Sequence, residues 1–485
     1  MALPALKSIV LRNILIRALS FAVLIFAVRF AYLVTVKGGS CYSVDFCFLR
    51  VPGRVFSPSS SSSHTLMESA RKSRKLFDYF STVFQDLIAE GYLSPDAKTL
   101  CIDTRNGEDI LALREIGVSD AIGISREDSP PLILSGEAHQ QPFDDNSFDF
   151  VFSGNGGMDQ TIHPVELGSE IGRTLKPGGF LVVHTKAKDL YSLHSLLDLF
   201  NCCKLIKERE IDGPDRTTIR EIVMRKEMDG VSLKQRYSKS GNGDSGNKCC
   251  VPSYKRKIIR QAEPLIKREP RITIRRNIKN IKYLPSMVDI SFKRKYIYID
   301  VGARSYSSSI GSWFKEQYPR QNKTFEIYAI EGDKAFQEEY EAKKGITLLP
   351  YTAWVRNETL FFEITRNARR QNREGEKKER IQKVESSMSF ISETEKIEGF
   401  DFAKWLKSCF SAKDFVVVKM DVEGIEFQLI ESMMETGAIC LVDELILECH
   451  YSGLLGSNKF GKAYAQCLKL FKSVRKSGVL VHQWW

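Results

Sequence analysis

The segment YIYIDVGARSYSSS, residues 296–309, is the part of the chain that decides the fold. Its first half alternates aromatic and β-branched residues, a pattern that predicts a buried strand because such side chains pack well on a pleated sheet. Asp300 and Gly302 end this strand just before a predicted helix at residues 310–317. A glycine there lets the backbone turn sharply and approach a bound ligand closely.

Further predicted strands alternate with predicted helices on both sides of this segment. Those that follow it are EIYAIEG (326–332), ITLLP (346–350), TLFFEI (359–364), FVVVKMDVEG (415–424) and ELILECH (444–450). An earlier series contains TLCID (99–103), AIGIS (121–125), FDFVFS (148–153) and FLVVHT (180–185). Such alternation is typical of parallel sheets, so we predict an α/β protein with two tandem Rossmann-like domains, residues 76–228 and 287–485.

The N-terminal stretch ALSFAVLIFAVRFAYLVTV, residues 18–36, is apolar apart from Arg29. A helix of this length roughly matches a ~30 Å hydrocarbon layer. We therefore predict a signal-anchor over residues 1–40, with a cleaved signal peptide as the alternative. Basic residues before the span place the N-terminus in the cytoplasm. The chain would be a single-pass protein of the Golgi or ER membrane, with its C-terminal region in the lumen.

Two polar segments are predicted to lie outside the domains. Residues 41–75 contain the run SPSSSSS and are expected to form a stem. Residues 229–286 are rich in basic, Gly and Ser residues and are expected to form a linker, with a polyanion or lipid-headgroup contact as the alternative. Aromatic residues are sparse in this linker, so nucleic acid is not expected as a partner despite the net charge of +11. The charged insertion at 366–383 is expected to be a surface loop.

The 11 cysteines include adjacent pairs, which do not have the spacing of a zinc site, so no metal is predicted. Disulfide pairing is left open. Two acceptor sequons begin at Asn322 and Asn357, and they matter only if the C-terminal region is luminal.

Three motifs in the first predicted domain occur in a characteristic order: TLCIDTRNGED (99–109), QQPFDDNSFDFVFSG (140–154) and EIGRTLKPGGFLVVH (170–184). In this order they resemble the type 11 group of class I methyltransferases. The resemblance implies S-adenosylmethionine as the cofactor, with Asp103 and Gly107 in the cofactor-binding turn.

The first domain also departs from that pattern. Arg105 and Asp109 stand where two glycines belong, so their side chains are expected to occupy the space meant for the cofactor. The second strand ends in Ser125, where an acidic residue would bind the ribose hydroxyls. We therefore expect this domain to be degenerate.

In the second predicted domain, DVGA (300–303) is followed by EGD (331–333), KMDVEGIE (419–426) and ECH (448–450). This order resembles the FkbM-type methyltransferases, which O-methylate hydroxyls of sugars or natural products. The whole chain looks similar to plant proteins that combine a membrane anchor, a type 11-like unit and an FkbM-like unit. Asp300, Gly302 and Glu331 are accordingly expected to bind the cofactor, with the Glu331 carboxylate accepting from the ribose hydroxyls.

Three further residues are candidates for catalysis because methyl transfer to a hydroxyl needs an aligned nucleophile and a proton acceptor. Asp421 ends a predicted strand, Glu423 follows in the turn, and His450 ends the next strand. Each also has a structural alternative: Asp421 as a helix cap, Glu423 as a favourable first-turn acid, and His450 as a strand-end residue.

Tyr306 stands where the family has a glycine, and it is expected to narrow the pocket or redirect the loop. The leading hypothesis is an O-methyltransferase for a glycan or another hydroxylated small molecule. The alternative is a catalytically inactive scaffold or binding protein that keeps the fold.

Overall fold

The first sheet of the chain has seven strands in the order β3-β2-β1-β4-β5-β7-β6. The structure is a computed structural model and describes residues 62–104, 106–126, 131–154, 156–227, 251–268, 280–365, 380–383, 394–451 and 462–484. The strands are β1 (Thr99–Ile102), β2 (Ala121–Ser125), β3 (Ile133–Ser135), β4 (Phe148–Ser153), β5 (Leu175–Thr185), β6 (Cys203–Asp212) and β7 (Thr218–Lys226). Strands β1 to β5 pair in parallel, whereas β7 runs antiparallel to both β5 and β6.

Helices cover the first sheet because its strands are apolar on both faces. They are α1 (Ser62–Ala89), α2 (Glu108–Glu115), α3 (Gly157–Gln160), α4 (Pro164–Thr174) and α5 (Leu190–Leu197). From α1, Phe80 and Phe84 pack edge-on against Phe152 of β4. Helix α1 begins inside the stem predicted at residues 41–75, so that prediction is wrong for its last part.

The second sheet has six parallel strands in the order β10-β9-β8-β15-β16-β17. They are β8 (Tyr296–Val301), β9 (Phe325–Ile330), β10 (Ile346–Leu349), β15 (Phe415–Met420), β16 (Glu444–Glu448) and β17 (Leu480–Trp484). The helices of this half are α6 (Ser253–Gln261), α7 (Leu284–Met287), α8 (Lys315–Gln317), α9 (Lys334–Glu341), α10 (Phe402–Cys409), α11 (Glu426–Glu435) and α12 (Tyr464–Lys476). Strand β8, quoted above, lies at the centre, and the whole of β15 is buried beside it.

A third, four-stranded sheet is inserted between β10 and β15, in the order β11-β14-β12-β13. Its strands are β11 (Thr352–Trp354), β12 (Glu358–Thr365), β13 (Arg380–Lys383) and β14 (Thr394–Asp401). The end of the charged insertion therefore forms strand β13, antiparallel to β12, where a loop was predicted. The rest of that insertion lies outside the described residues.

Part of the predicted linker packs against the second sheet. In particular, Glu263 is buried and lies 2.7 Å from Nδ1 of buried His482 on β17. The backbone N–H of Ile266 donates to Gln483 at 2.6 Å. The linker predicted over 229–286 is therefore packed against the second sheet in this part, because a buried ion pair fixes it there.

The two large sheets belong to one compact unit, Glu68–Trp485, and a buried polar cluster joins them. The hydroxyl of Tyr191 on α5 donates to Asp443, just before β16, at 3.1 Å. Lys255 and Lys293 lie 3.3 and 3.9 Å from the same carboxylate. Burial alone would raise the pKa of Asp443, but the two lysines outweigh burial and lower it.

Among the described residues, no helix is both long and apolar enough to cross a membrane. The predicted span at residues 18–36 lies outside them, as does most of the predicted stem.

We expect Asp443→Ala to lower the free energy of unfolding by about 3–5 kcal/mol, because it leaves buried lysines without their counter-charge. Tyr191→Phe is the matched control, since it removes one hydrogen bond and should cost about 1 kcal/mol. Urea unfolding of residues 68–485 measures both. Similar small losses for the two variants would contradict a central role for this cluster.

Candidate active site

A cleft of about 610 Å³ opens at the carboxyl ends of β8, β9 and β15, where ligands bind in open α/β sheets. Its polar and charged lining residues follow three separate strands, β8, β9 and β15, except for Thr352, which begins β11. They are Arg304, Glu331, Thr352, Asp421 and Glu423. Its apolar lining residues include Ile330, Phe336, Tyr351, Val422 and Ile425.

Gly302 shapes the floor of this cleft. Its φ is 76°, a left-handed conformation that favours glycine. A β-carbon there would collide with the backbone carbonyl oxygen of Asp421, at the end of the neighbouring strand. Gly302 therefore lines the cleft as predicted from sequence, and its role is to let two strand ends meet closely.

Glu331 directly follows β9 and is 6% exposed. One carboxylate oxygen accepts from the backbone N–H of Arg304 at 2.8 Å, and the other accepts from the backbone N–H of Asp333 at 2.7 Å. Burial nevertheless raises the pKa of Glu331 to about 7. The carboxylate is thus held at the cleft wall, where each oxygen keeps a lone pair for a ligand hydroxyl.

The three predicted catalytic residues come together at one side of this cleft. Nε2 of His450 lies 3.6 Å from Asp421 and 3.5 Å from Glu423. Arg304 donates to Glu423 from the opposite side. Arg304 and Glu423 both have a φ of 48°, a strained conformation for such residues that is typical of functional sites.

Nδ1 of His450 lies 3.6 Å from fully buried Glu426, which also accepts from the His450 backbone N–H at 2.6 Å. Burial lowers the pKa of His450, but Glu426, Glu423 and Asp421 outweigh burial and raise it to about 9. His450 is therefore an imidazolium at neutral pH. As an imidazolium, it can orient the carboxylates but does not act as the proton acceptor.

Sequence analysis missed Glu448, the last residue of β16, although the quoted ECH motif contained it. Its carboxylate lies 3.9 Å from Nε2 of His450. Burial and the charge of Asp421 raise the pKa of Glu448 to about 7, the range that suits a general base. Its position at a strand end beside β15 was the signal that could have identified it.

Asp421, Glu423 and His450 each offer one ligand atom, and these atoms lie within 4.8 Å of one another. Such a set could in principle hold a cation. The guanidinium of Arg304 already pairs with Glu423, so we assign no metal to this set.

Two residues of the strand-turn segment do not lie where they were predicted. The side chain of Asp300 is fully buried, accepts from Ser309 and lies 3.4 Å from Nζ of Lys419, so it supports the turn from beneath instead of lining the cleft. Tyr306 packs against Gly311 and under Lys343, outside the cleft lining. The expectation that Tyr306 narrows the pocket is therefore wrong.

A second cleft, of about 1430 Å³, lies at the carboxyl ends of the first sheet. Asp103, Ser125 and Arg126 line one part of it. His139 and His163, whose rings stack at 4.5 Å, line another part. In this cleft Ser125 lies at the end of β2. The corresponding position in the second-sheet cleft, after β9, is Glu331.

Asp109 does not occupy the first-sheet cleft, contrary to expectation. It is buried at the start of α2, accepts from Thr104 Oγ1 at 2.5 Å, and burial raises its pKa to about 6. Gly107, with a φ of 77°, starts this helix and does not line the cleft. Arg105 lies outside the described residues.

Comparisons with known proteins support the predicted methyltransferase fold for the first domain but give no function for the second. Residues 117–183 match a family model described as a methyltransferase domain. Residues 261–362 and 369–485 match one described as a domain of unknown function (DUF7870). No curated protein sequence matches the chain.

Similar solved structures each overlap only about a third of the chain. An S-adenosylmethionine-dependent methyltransferase from Methanosarcina mazei is 19% identical, with 29% of this chain and 97% of that chain covered and a TM-score of 0.25. A 1,6-didemethyltoxoflavin-N1-methyltransferase from Burkholderia thailandensis, with bound S-adenosylhomocysteine, is 12% identical, with 37% and 94% covered and a TM-score of 0.27.

The family match covers β2 to β5, and the strand order of the first sheet is that of a Rossmann-like α/β fold. The first sheet therefore has the α/β fold of a class I methyltransferase domain, as predicted. The cofactor that this match implies is S-adenosylmethionine.

We expect S-adenosylhomocysteine to bind residues 68–485 about tenfold more tightly at pH 8 than at pH 6. Glu331 is protonated below a pKa of about 7, and the ionised carboxylate above it accepts stronger hydrogen bonds from ribose hydroxyls. Calorimetric titration across this range measures the effect. Glu331→Gln should remove the pH dependence and Glu448→Gln should keep it; a pH dependence that survives in Glu331→Gln would contradict this assignment.

We expect Gly302→Ala to abolish this binding and to destabilise the fold by more than the ~1–2 kcal/mol that a left-handed alanine costs. Gly345→Ala is the matched control, because Gly345 has the same φ of 76° but no atom within 4 Å of the position that an added methyl group would take. The control should lose about 1 kcal/mol and bind normally. Equal effects in thermal unfolding and titration would show that no close approach is involved.

Proposed function

We propose that this chain is a membrane-anchored O-methyltransferase of FkbM type, in which the cleft of the second sheet carries out methyl transfer. The observation that carries this proposal is the gathering of Gly302, Glu331 and Asp421 at three neighbouring strand ends. The acceptor is a hydroxylated molecule such as a glycan. This assignment rests on side-chain chemistry, because the family matched over the second sheet has no described function.

The residues of this cleft fit S-adenosylmethionine. A side chain at position 302 would fill the place where strand β8 turns, and Glu331 presents a carboxylate suited to two ribose hydroxyls. The apolar residues Ile330, Phe336 and Tyr351 supply a surface for a flat ring. When bound, the cofactor supplies an electrophilic methyl group on a sulfonium.

The acidic cluster beside the cleft suits a hydroxyl acceptor. Asp421 can accept a hydrogen bond from the hydroxyl and so orient its oxygen. Glu448, with its pKa near 7, can take the hydroxyl proton as the oxygen attacks. The imidazolium of His450 lies within 3.9 Å of Asp421, Glu423 and Glu448, and so holds these carboxylates together.

The first-sheet cleft is proposed to be a degenerate copy that serves as a scaffold. Its β2 strand ends in Ser125, which offers one hydroxyl where a carboxylate would bind both ribose hydroxyls. The side chain of Asp109 is buried outside this cleft. The proposed difference between the two clefts is therefore the carboxylate for the ribose hydroxyls.

We also propose that the C-terminal region lies in the lumen of the Golgi or ER. Support comes from the disulfide Cys449–Cys467, because disulfides persist in oxidising compartments and are rare in the cytosol. The apolar stretch at 18–36 would supply the anchor.

Calorimetric titration of S-adenosylhomocysteine into residues 68–485 tests the proposal with two variants. Glu331→Ala should lower affinity by about tenfold or more, because two charge-assisted hydrogen bonds are lost. Asp103→Ala, which changes the first-sheet cleft, should leave that affinity unchanged.

The reverse result, with binding lost only in Asp103→Ala, would move the function to the first sheet. Absence of binding to the folded wild-type protein would overturn the enzyme and favour a scaffold. With binding in place, Glu448→Gln should lower methyl transfer to a hydroxylated acceptor by about 10²-fold or more while the cofactor affinity stays normal.

A further inference from the structure

The two acceptor sequons of the chain differ in their surroundings. Asn322 and Thr324 are both exposed, in a turn between α8 and β9. Gln321 and Asn322 have φ values of 48° and 57°, so the backbone turns tightly there. No described residue forms a side-chain hydrogen bond with Asn322 or Thr324.

This turn is fixed to the body of the protein by its neighbour. The side-chain amide of Gln321 donates to the carbonyls of Pro285 and Val288 at 2.6 and 2.7 Å. The backbone N–H of Lys323 donates to the carbonyl of Arg320 at 2.9 Å. The contacts of Gln321 and Lys323 therefore hold the turn in place, and the side chains of Asn322 and Thr324 take no part in them. A substituent on Asn322 would break no described contact.

The sequon at Asn357 is part of the fold. The side-chain oxygen of Asn357 accepts from the backbone N–H of Asp401 at 2.8 Å. Thr359 donates its hydroxyl to Glu398 at 2.9 Å, within the pairing of β12 and β14. The side-chain oxygen of Asn357 and the hydroxyl of Thr359 are thus engaged in the fold, although both side chains are exposed.

The two positions also differ in their relation to the second-sheet cleft. Asn322 precedes β9, whereas Glu331 follows it, and six strand residues separate the two edges by about 20 Å. A bulky substituent on Asn322 would therefore leave the cleft open. Asn357 comes soon after Tyr351 and Ala353, which line the cleft.

We propose that Asn322 carries an N-linked glycan and that Asn357 does not, an inference that rests on the luminal placement proposed above. In the transfer, Nδ2 of Asn322 forms a bond to C1 of an oligosaccharide carried on a lipid pyrophosphate. The bond from C1 to the phosphate oxygen breaks, the lipid pyrophosphate leaves, and the amide nitrogen loses one proton. Thr324 supplies the hydroxyl that the sequon requires.

The full chain expressed in plant cells tests this by its mobility before and after endoglycosidase treatment. The wild type and Asn357→Gln should each lose one glycan, and Asn322→Gln should show no shift. Thr324→Ala should also show no shift. This second variant removes the sequon but keeps Asn322, whose left-handed backbone a glutamine would strain.

Ser59→Asn provides a reporter, because it creates an acceptor sequon in the serine-rich tract, just after the predicted anchor. A glycan on the reporter site with none on Asn322 would overturn the proposal while the luminal placement stands. No glycan on either site would overturn the luminal placement, and the proposal with it. A glycan on Asn357 would overturn the selectivity.

Discussion

The close approach of two strand ends, at Gly302 and the carbonyl of Asp421, is the constraint on which the second-sheet site depends. Parallel pairing of β8 with β15 brings these residues side by side, and only a residue without a β-carbon allows them to meet. Because the chain turns at Gly302, the backbone of Arg304 reaches Glu331, and its guanidinium reaches Glu423. One missing side chain thus fixes the Glu331 carboxylate and the acidic cluster relative to each other.

Backbone strain is concentrated where this site is built. Arg304 and Glu423 both adopt a left-handed φ, which costs on the order of 1–2 kcal/mol for a residue with a side chain. Their ion pair joins the two strained turns and offsets part of that cost. Buried Glu426 holds the second turn, since it accepts from Gly424 at 2.8 Å and from His450 at 2.6 Å. The strain persists because buried hydrogen bonds fix the chain on both sides of it.

Periodicity and strand-end chemistry predicted most of the sheet positions and the gathering of Gly302, Glu331, Asp421, Glu423 and His450. The sequence predictions that were wrong concern residues whose position is set by tertiary contacts. Asp300 and Asp109 look like ligand-facing acids in the sequence, but neighbouring hydroxyls hold both in the interior. The charge state of His450 is set by carboxylates in the turn after β15 and on α11, and the packed part of the linker is fixed by His482 from the far end of the chain. No local pattern contains those partners.

The family match to a methyltransferase domain lies on the first sheet, whereas the better-equipped cleft lies on the second. These findings are compatible, because a family model matches the sequence pattern that specifies a fold. The reaction, in contrast, depends on a few side chains at strand ends. The first sheet is also held in place for a structural reason. Asp443 shares its charge with two lysines and accepts from Tyr191 of that sheet, so losing the first half would expose a polar cluster that now lies buried. The first sheet can therefore be retained for its packing against this polar cluster, even where its cleft has no carboxylate to bind ribose hydroxyls.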